Sequence, residues 1–87
     1  MNLENLIRNR LAGLEPISLE IQDDSAAHVG HKGSSGGGHF TLKMVSSHFS
    51  QKSQIIRHRL IYQALSDLIP QQIHAISIVA ISPTDPN

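Results

Sequence analysis

The spacing of apolar residues in this chain of 87 residues changes from segment to segment, and these changes predict its secondary structure. Near the start, apolar side chains recur every three or four residues, as on one face of an α-helix. They are Leu3, Leu6, Ile7, Leu11 and Leu14. Asn2 can cap this helix, and Gly13 and Pro16 end it. Ile17, Leu19 and Ile21 then alternate with polar residues, which predicts a strand with one buried face.

Residues 26–38 show no apolar periodicity and contain five glycines and two histidines. Such a composition predicts a flexible Gly/His-rich loop. After it, Phe40, Leu42 and Met44 alternate with polar residues and predict a second strand. The two strands therefore form a hairpin with an unusually long connection, and long connections in compact domains are often functional.

A second helix is predicted from a cap at Ser50 or Ser53 to Ile69, because Pro70 disfavours helix in the residue before it. Residues 73–81 are apolar at nearly every position, which is typical of a strand buried on both faces or packed under helices. Residues 82–87 are predicted to be a disordered tail. The order α-β-β-α-β over residues 1–87 predicts a single two-layer α+β sandwich, in which a three-stranded mixed sheet has both helices on one face.

Composition narrows the function classes. Seven Lys and Arg balance seven Asp and Glu, which argues weakly against nucleic-acid binding by overall charge. The chain has no cysteine, so it cannot provide a thiolate nucleophile or, alone, a metal–sulfur site. No pattern places a nucleophile, a base and an acid at one pocket, so we expect no enzymatic activity. The absence of a signal peptide and of a long apolar run predicts a cytoplasmic protein with no membrane partner.

Histidine is the one residue type in clear excess, with six in 87 residues. His28, His31 and His39 fall within twelve residues of one another, and His74 opens the third predicted strand. The ordinary explanation for His74 is a half-buried histidine with a hydrogen-bond partner, and histidines in a glycine-rich loop are more often solvated than bound to metal. His48 is interpreted as a surface turn residue.

The run RHRLIYQAL at residues 57–65, shortly after Phe49, and the run IHAISI at residues 73–78 resemble the BolA family. Asp24 and Ser25 before the loop, and His39 followed by Phe40, also fit. Gln51 stands where the family usually has glycine, and the loop is longer and richer in glycine than usual. The resemblance implies a fold like the type II KH domain.

The resemblance also implies a function in iron–sulfur trafficking or iron sensing. Family members associate with monothiol glutaredoxins and share a [2Fe–2S] cluster with them. His74 matches the cluster ligand of the family, and the second ligand would come from the loop, with His39 the best match, followed by His28 and then His31. A glutaredoxin cysteine and glutathione would supply the sulfurs that this chain lacks. Alone, the chain is expected to be a monomer or a weak homodimer.

Two alternatives remain at this point. Other family members are described as transcriptional regulators that bind DNA, and Lys52, Arg57 and Arg59 gather near the start of the second helix, where phosphate is also attracted. Arg57 falls on the apolar face of that helix, and its ordinary interpretation is that it extends past the edge of the sheet to solvent. A protein-interaction module without metal is the third possibility.

Overall fold

The computed structural model describes residues 2–24 and 38–86. Five main elements follow one another in the predicted order: α1 (Leu3–Leu11), β1 (Ser18–Asp23), β2 (Gly38–Val45), α2 (Gln54–Ala64) and β3 (Ile73–Ile81). Short 3₁₀ turns at Ala12–Leu14 and Ser47–Phe49 follow α1 and precede α2. Of the loop predicted at residues 26–38, Gly38 belongs to β2, and the other residues lie outside the described part of the chain.

The sheet has the order β1-β2-β3, with β1 antiparallel and β3 parallel to the central strand. Its register aligns the apolar residues of the three strands on one face: Leu19 and Ile21 of β1, Phe40, Leu42 and Met44 of β2, and Ile76, Ile78 and Ala80 of β3. Buried residues of the helices and turns pack against this face, among them Ile7, Leu11, Phe49, Ile61, Leu65 and Leu68. The prediction of a two-layer α+β fold with a mixed sheet is therefore confirmed.

The second face of the sheet carries no helix among the described residues. Polar side chains dominate it, and Val79 of β3 is 46% exposed there. Of the two environments expected for β3, the structure shows the second, a strand packed under helices on one face only. Ile17 precedes β1 and is 65% exposed, so the buried face predicted for that strand holds only for Leu19 and Ile21.

The prediction that the second helix extends to Ile69 is wrong. It ends at Ala64, and consecutive turns lead to β3. Leu65 and Leu68 both enter the core, and Leu68 O accepts hydrogen bonds from the backbone N–H groups of Gln72 and Ile73 at 3.0 and 2.9 Å. Buried leucines stay in helical phase over this segment, so the apolar pattern does not reveal where the helix stops.

The structure confirms the predicted helix cap at Asn2 and selects one of the two serines predicted to cap α2. Asn2 caps α1, because its side chain accepts from Asn5 N–H at 2.8 Å. Ser53 is the cap of α2, whereas Ser50 hydrogen-bonds with the hydroxyl of Ser82. Between them, Gln51 has a φ of 61°, in the left-handed region that favours glycine. The backbone at Gln51 thus has a conformation that glycine adopts without strain.

The prediction of a disordered tail is wrong for residues 82–86. Ser82 is buried, and Asp85 accepts a hydrogen bond from Ser82 N–H at 2.9 Å. The carboxylate of Asp85 also receives two hydrogen bonds from the guanidinium of Arg57, at 2.6 and 2.7 Å. These contacts turn the chain back towards the start of α2. Residue 87 lies outside the described part of the chain.

Arg57 is the polar centre of this end of the fold. It is 5% exposed, and it also donates to Lys52 O at 2.9 Å and Ala80 O at 3.1 Å. It therefore points inward, which corrects the interpretation that it extends to solvent. The hydrogen bonds from Arg57 and from Ser82 N–H lower the pKa of Asp85 to about 2, and Asp85 raises the pKa of Arg57.

We predict that Asp85→Asn lowers stability at neutral pH and that the difference from the unmodified protein disappears in acid. The pKa of Asp85 is about 2 in the fold against an ordinary value of 3.8, so the folded state favours the charged form. That stabilisation is complete above the ordinary pKa and is lost as the pH falls through the folded value. The urea midpoints of both proteins, from neutral pH down to about pH 2, measure this difference in stability.

Glu20→Gln is the matched control, because Glu20 is exposed and contacts Lys43 only at 3.9 Å. Exposed pairs of this kind contribute little to stability. We expect its urea midpoint to follow that of the unmodified protein. A gap for Asp85→Asn that stays constant down to about pH 2 would contradict a stabilising role for the carboxylate charge.

Candidate metal-binding histidine pair

Two of the predicted ligands, His39 and His74, meet at one end of the sheet. His39 is the second residue of β2, and His74 is the second residue of β3. Because these strands are parallel neighbours, their first residues lie at the same end. The ring centroids are 5.4 Å apart, with the ring planes inclined by 47°. The structure therefore brings together the two histidines ranked first from the sequence.

A break in the ladder between β2 and β3 determines where His74 points. Gly38 pairs with Ile73, whereas His39 pairs with Ala75, so His74 is an extra residue in β3. Ile73 is fully buried and His74 is exposed. Strict alternation along β3 would place His74 in the row of Ile76 and Ile78, but the bulge redirects its side chain.

Gly38 permits the close approach of the two strands beside the histidine pair. Its N–H donates to Gln72 O at 2.9 Å, which ties the start of β2 to the residue before β3. A Cβ at position 38 would overlap the ring of Phe40 and lie 3.3 Å from Gln72 O. Phe40 is itself buried and cannot move freely aside. A residue without a side chain is therefore required next to His39.

The pair offers two nitrogen donors and not a complete metal site. Neutral imidazole is the commonest metal ligand of proteins and suits iron, zinc and copper. Across residues 2–24 and 38–86, no group of three or more His, Asp or Glu residues is placed to hold an ion. The predicted ligand His28, and His31, lie outside this part of the chain. Further ligands for His39 and His74 would have to come from elsewhere.

The other described histidines stand apart from this pair. His48 lies in the short turn before α2, as predicted for a surface turn residue, and its Nε2 is 2.9 Å from Glu15 Oε1. His58 is on α2. His48 is thus a partly exposed histidine with its own partner, which makes it a suitable control for any experiment on the pair.

The three cations of the nucleic-acid alternative do not share one surface. Lys52 and Arg59 are exposed near the start of α2. The Arg57 guanidinium instead donates hydrogen bonds to Lys52 O, Ala80 O and the Asp85 carboxylate. A phosphate contact through Arg57 would have to break these buried hydrogen bonds, so Arg57 is not part of an exposed nucleic-acid surface. Sequence reasoning missed Asp85, although a buried arginine signals a carboxylate partner.

Comparison with known proteins identifies the family. A family model described as BolA-like protein matches residues 11–85. The chain belongs to the BolA-like family. It is 44% identical over 78 residues to SufE-like protein 1, chloroplastic/mitochondrial, of Arabidopsis thaliana, a match that covers 83% of this chain and 21% of the relative. It is 38% identical over 82 residues to BolA-like protein 1 of Mus musculus, covering 93% of this chain and 58% of the relative.

Solved structures of the BolA-like family agree with the fold. The BolA domain of SufE1 from Arabidopsis thaliana has a TM-score of 0.79 at 42% identity, with 95% of both chains covered. BolA1 from the same organism has a TM-score of 0.82 at 33% identity, covering 100% of this chain and 99% of the other. The match to the full-length protein BOLA1, chloroplastic, of Arabidopsis thaliana covers 48% of that protein. The chain therefore spans half or less of the full-length BOLA1 and SufE-like protein 1. Among the described residues, no helix has the length and apolar character needed to cross a bilayer.

We predict that Gly38→Ala destabilises the protein by about 1–3 kcal/mol, the usual cost of forcing an extra methyl group into a packed site. The new methyl group would push Phe40 or separate β2 from Gln72. Urea unfolding measures the loss, and nuclear Overhauser contacts between the rings of His39 and His74 should weaken. Gly13→Ala is the control, since a Cβ there has no neighbour within 4 Å. Equal stability of the two variants would contradict the required close approach.

Proposed function

We propose that this BolA-like chain binds a monothiol glutaredoxin and contributes His74 and His39 as ligands to a [2Fe–2S] cluster shared with the glutaredoxin and glutathione. The observation that carries the proposal is the placement of the two rings 5.4 Å apart at one end of the sheet, with His74 exposed. An exposed donor can be reached by a second protein, and a neighbouring donor allows both to serve one metal centre.

The donor set fits such a cluster. Histidines replace two cysteines on one iron of Rieske-type [2Fe–2S] centres and raise the reduction potential. This chain has no cysteine, so the thiolates would come from a glutaredoxin cysteine and from glutathione. The bound cluster would supply one-electron redox chemistry. The role of this chain is to hold two imidazoles at the end of a rigid sheet, which keeps the ligand positions fixed.

The relatives give the proposal its biological context. A BolA domain occurs within a SufE-like protein at 44% identity to this chain, and this supports an iron–sulfur setting. We propose that the chain acts without catalysis in iron–sulfur trafficking or iron sensing, as a monomer or weak homodimer before it meets its partner. A cytoplasmic location belongs to the same proposal, whereas two plant relatives carry names that place them in chloroplasts or mitochondria.

We predict that His74→Ala removes or strongly changes the visible absorption and circular dichroism of the complex formed with a monothiol glutaredoxin, glutathione, iron and sulfide. His39→Ala should also change the spectrum, because it removes the second donor. The loss of one histidine ligand alters the ligand field at the iron and hence its charge-transfer bands. Anaerobic reconstitution followed by size-exclusion chromatography and spectroscopy measures these outcomes.

His48→Ala is the matched control, because His48 is paired with Glu15 away from the proposed ligands. Its spectrum should equal that of the unmodified complex. His28→Ala and His31→Ala test the alternative loop ligands. A spectrum unchanged by His74→Ala would reject the proposal, and a spectrum changed by His28→Ala but not by His39→Ala would reassign the second ligand.

The second candidate function is DNA binding by a transcriptional regulator. Two exposed cations, Lys52 and Arg59, lie near the start of α2, and no acidic residue occurs from Gln54 to Ala64. With Arg57 withdrawn into the fold and no net charge on the chain, any such binding would rest on few phosphate contacts.

We predict for this alternative that Lys52→Ala and Arg59→Ala each weaken DNA binding at low salt and each reduce the slope of log affinity against log salt by about one. Fluorescence anisotropy at several salt concentrations measures both effects. Lys43 lies on the second face of the sheet, so Lys43→Ala is the control and should leave binding unchanged. Failure of the unmodified protein to bind DNA at low salt would remove the alternative.

A further inference from the structure

We infer that Asp24 is a positioning residue that holds His39 beside His74. The inference rests on the proposed function, since it concerns the second donor of the same histidine pair. Asp24 is the residue that follows β1, and it faces the start of β2 across the sheet. It makes three short hydrogen bonds, two of them to β2, and one of these two is to His39 itself.

The first of these bonds holds the backbone of His39. The last ladder pair between β1 and β2 joins Asp23 to Phe40, so His39 lies one residue beyond the paired region. Asp24 N–H donates to His39 O at 2.7 Å and thereby extends the sheet contact to the histidine. Strand ends open more readily than their centres, so this added bond limits the fraying of β2 at its first residues.

The other two bonds hold the carboxylate of Asp24 in place. Thr41 Oγ1 donates to Asp24 Oδ2 at 2.7 Å, and Gln22 Nε2 donates to Asp24 Oδ1 at 2.7 Å. Each carboxylate oxygen thus receives a donor, and hydrogen bonds to a charged acceptor are stronger than neutral ones. Thr41 lies two residues after His39, on the same face of β2. The bonds to His39 O and Thr41 join the end of β1 to the residues on either side of Phe40, and the bond from Gln22 within β1 fixes the carboxylate.

The two strands therefore hold His39 from both sides. On the β3 side, Gly38 N–H donates to Gln72 O, immediately before the histidine. On the β1 side, Asp24 bonds to the carbonyl of His39 and to Thr41. Residues 25–37 lie between Asp24 and Gly38 in the chain, so Asp24 is the last described residue that can hold this end of β2 from the β1 side. A ligand residue fixed in this way keeps its ring next to His74.

Nuclear magnetic resonance on the free chain tests this placement without a glutaredoxin. We expect Asp24→Ala and Thr41→Val to speed the exchange of the Asp24 amide proton by up to about tenfold, the effect of losing one net hydrogen bond. Both variants should weaken the nuclear Overhauser contact between the rings of His39 and His74. Thr41→Ser keeps the hydroxyl and should restore both signals.

Asp67→Ala is the control in the free chain, because Asp67 is an exposed partner of Arg10 on another part of the surface. It should leave the exchange of the Asp24 amide and the ring contact unchanged. An undiminished ring contact in Asp24→Ala would overturn the inference, whatever the cluster experiments give.

A double-mutant comparison in the reconstituted complex tests whether Asp24 acts through His39. Asp24→Ala should change the visible circular dichroism of the cluster in the same direction as His39→Ala, and it should add no further change once His39 is alanine. An equal effect of Asp24→Ala with and without His39 would overturn the inference. Failure of the unmodified chain to form a cluster would count against the proposed function alone, because the free-chain signals still decide the positioning.

Discussion

The parallel pairing of β2 with β3 is the interaction on which the candidate site depends. It places His39 and His74 at the same end of the sheet, although most of the second half of the chain lies between them in sequence. The bulge in this ladder gives the adjacent residues Ile73 and His74 of β3 different environments. Ile73 completes the core, while His74 is exposed beside His39. A regular ladder would not have given both results.

The crossover from β2 to β3 is fixed by a polar contact at the opposite end of the strands. Arg57 of α2 binds the carbonyl of Ala80 near the end of β3 and the carboxylate of Asp85 beyond it. A buried guanidinium is costly unless its donors are satisfied, and here the backbone and one carboxylate satisfy them. The two arginines that flank His58 therefore differ. Arg57 is buried and stabilises the fold, whereas Arg59 is exposed to solvent.

Local periodicity was enough to predict the order of elements, the face of β2 and the layer architecture, because alternation and helical spacing report directly on burial. It could not predict that α2 ends at Ala64, because Leu65 and Leu68 remain in helical phase while they pack through turns. The bulge at His74 has no local sequence signal, and it lies beside Gly38, where a Cβ would collide with Phe40. The ordered tail depends on the distant pairing of Arg57 with Asp85, which periodicity does not report.

The resemblance of the chain to the BolA family supplied the ligand hypothesis, and the geometry describes two of the residues that it names. Of the four histidines considered, two lie within the described residues, and these two are neighbours. The residues that surround them, Gly38 and Asp24, carry no signal of metal chemistry in the sequence. Their importance comes from the backbone contacts that they make with β3 and with His39.

Pulsed electron paramagnetic resonance of the reduced complex tests the central claim most directly, if only this chain carries ¹⁵N-labelled histidine. We predict ¹⁵N couplings from two imidazole nitrogens bound to the cluster, one of which disappears in His74→Ala and the other in His39→Ala. A cluster-loaded complex with a glutaredoxin that shows no histidine coupling from this chain would contradict it.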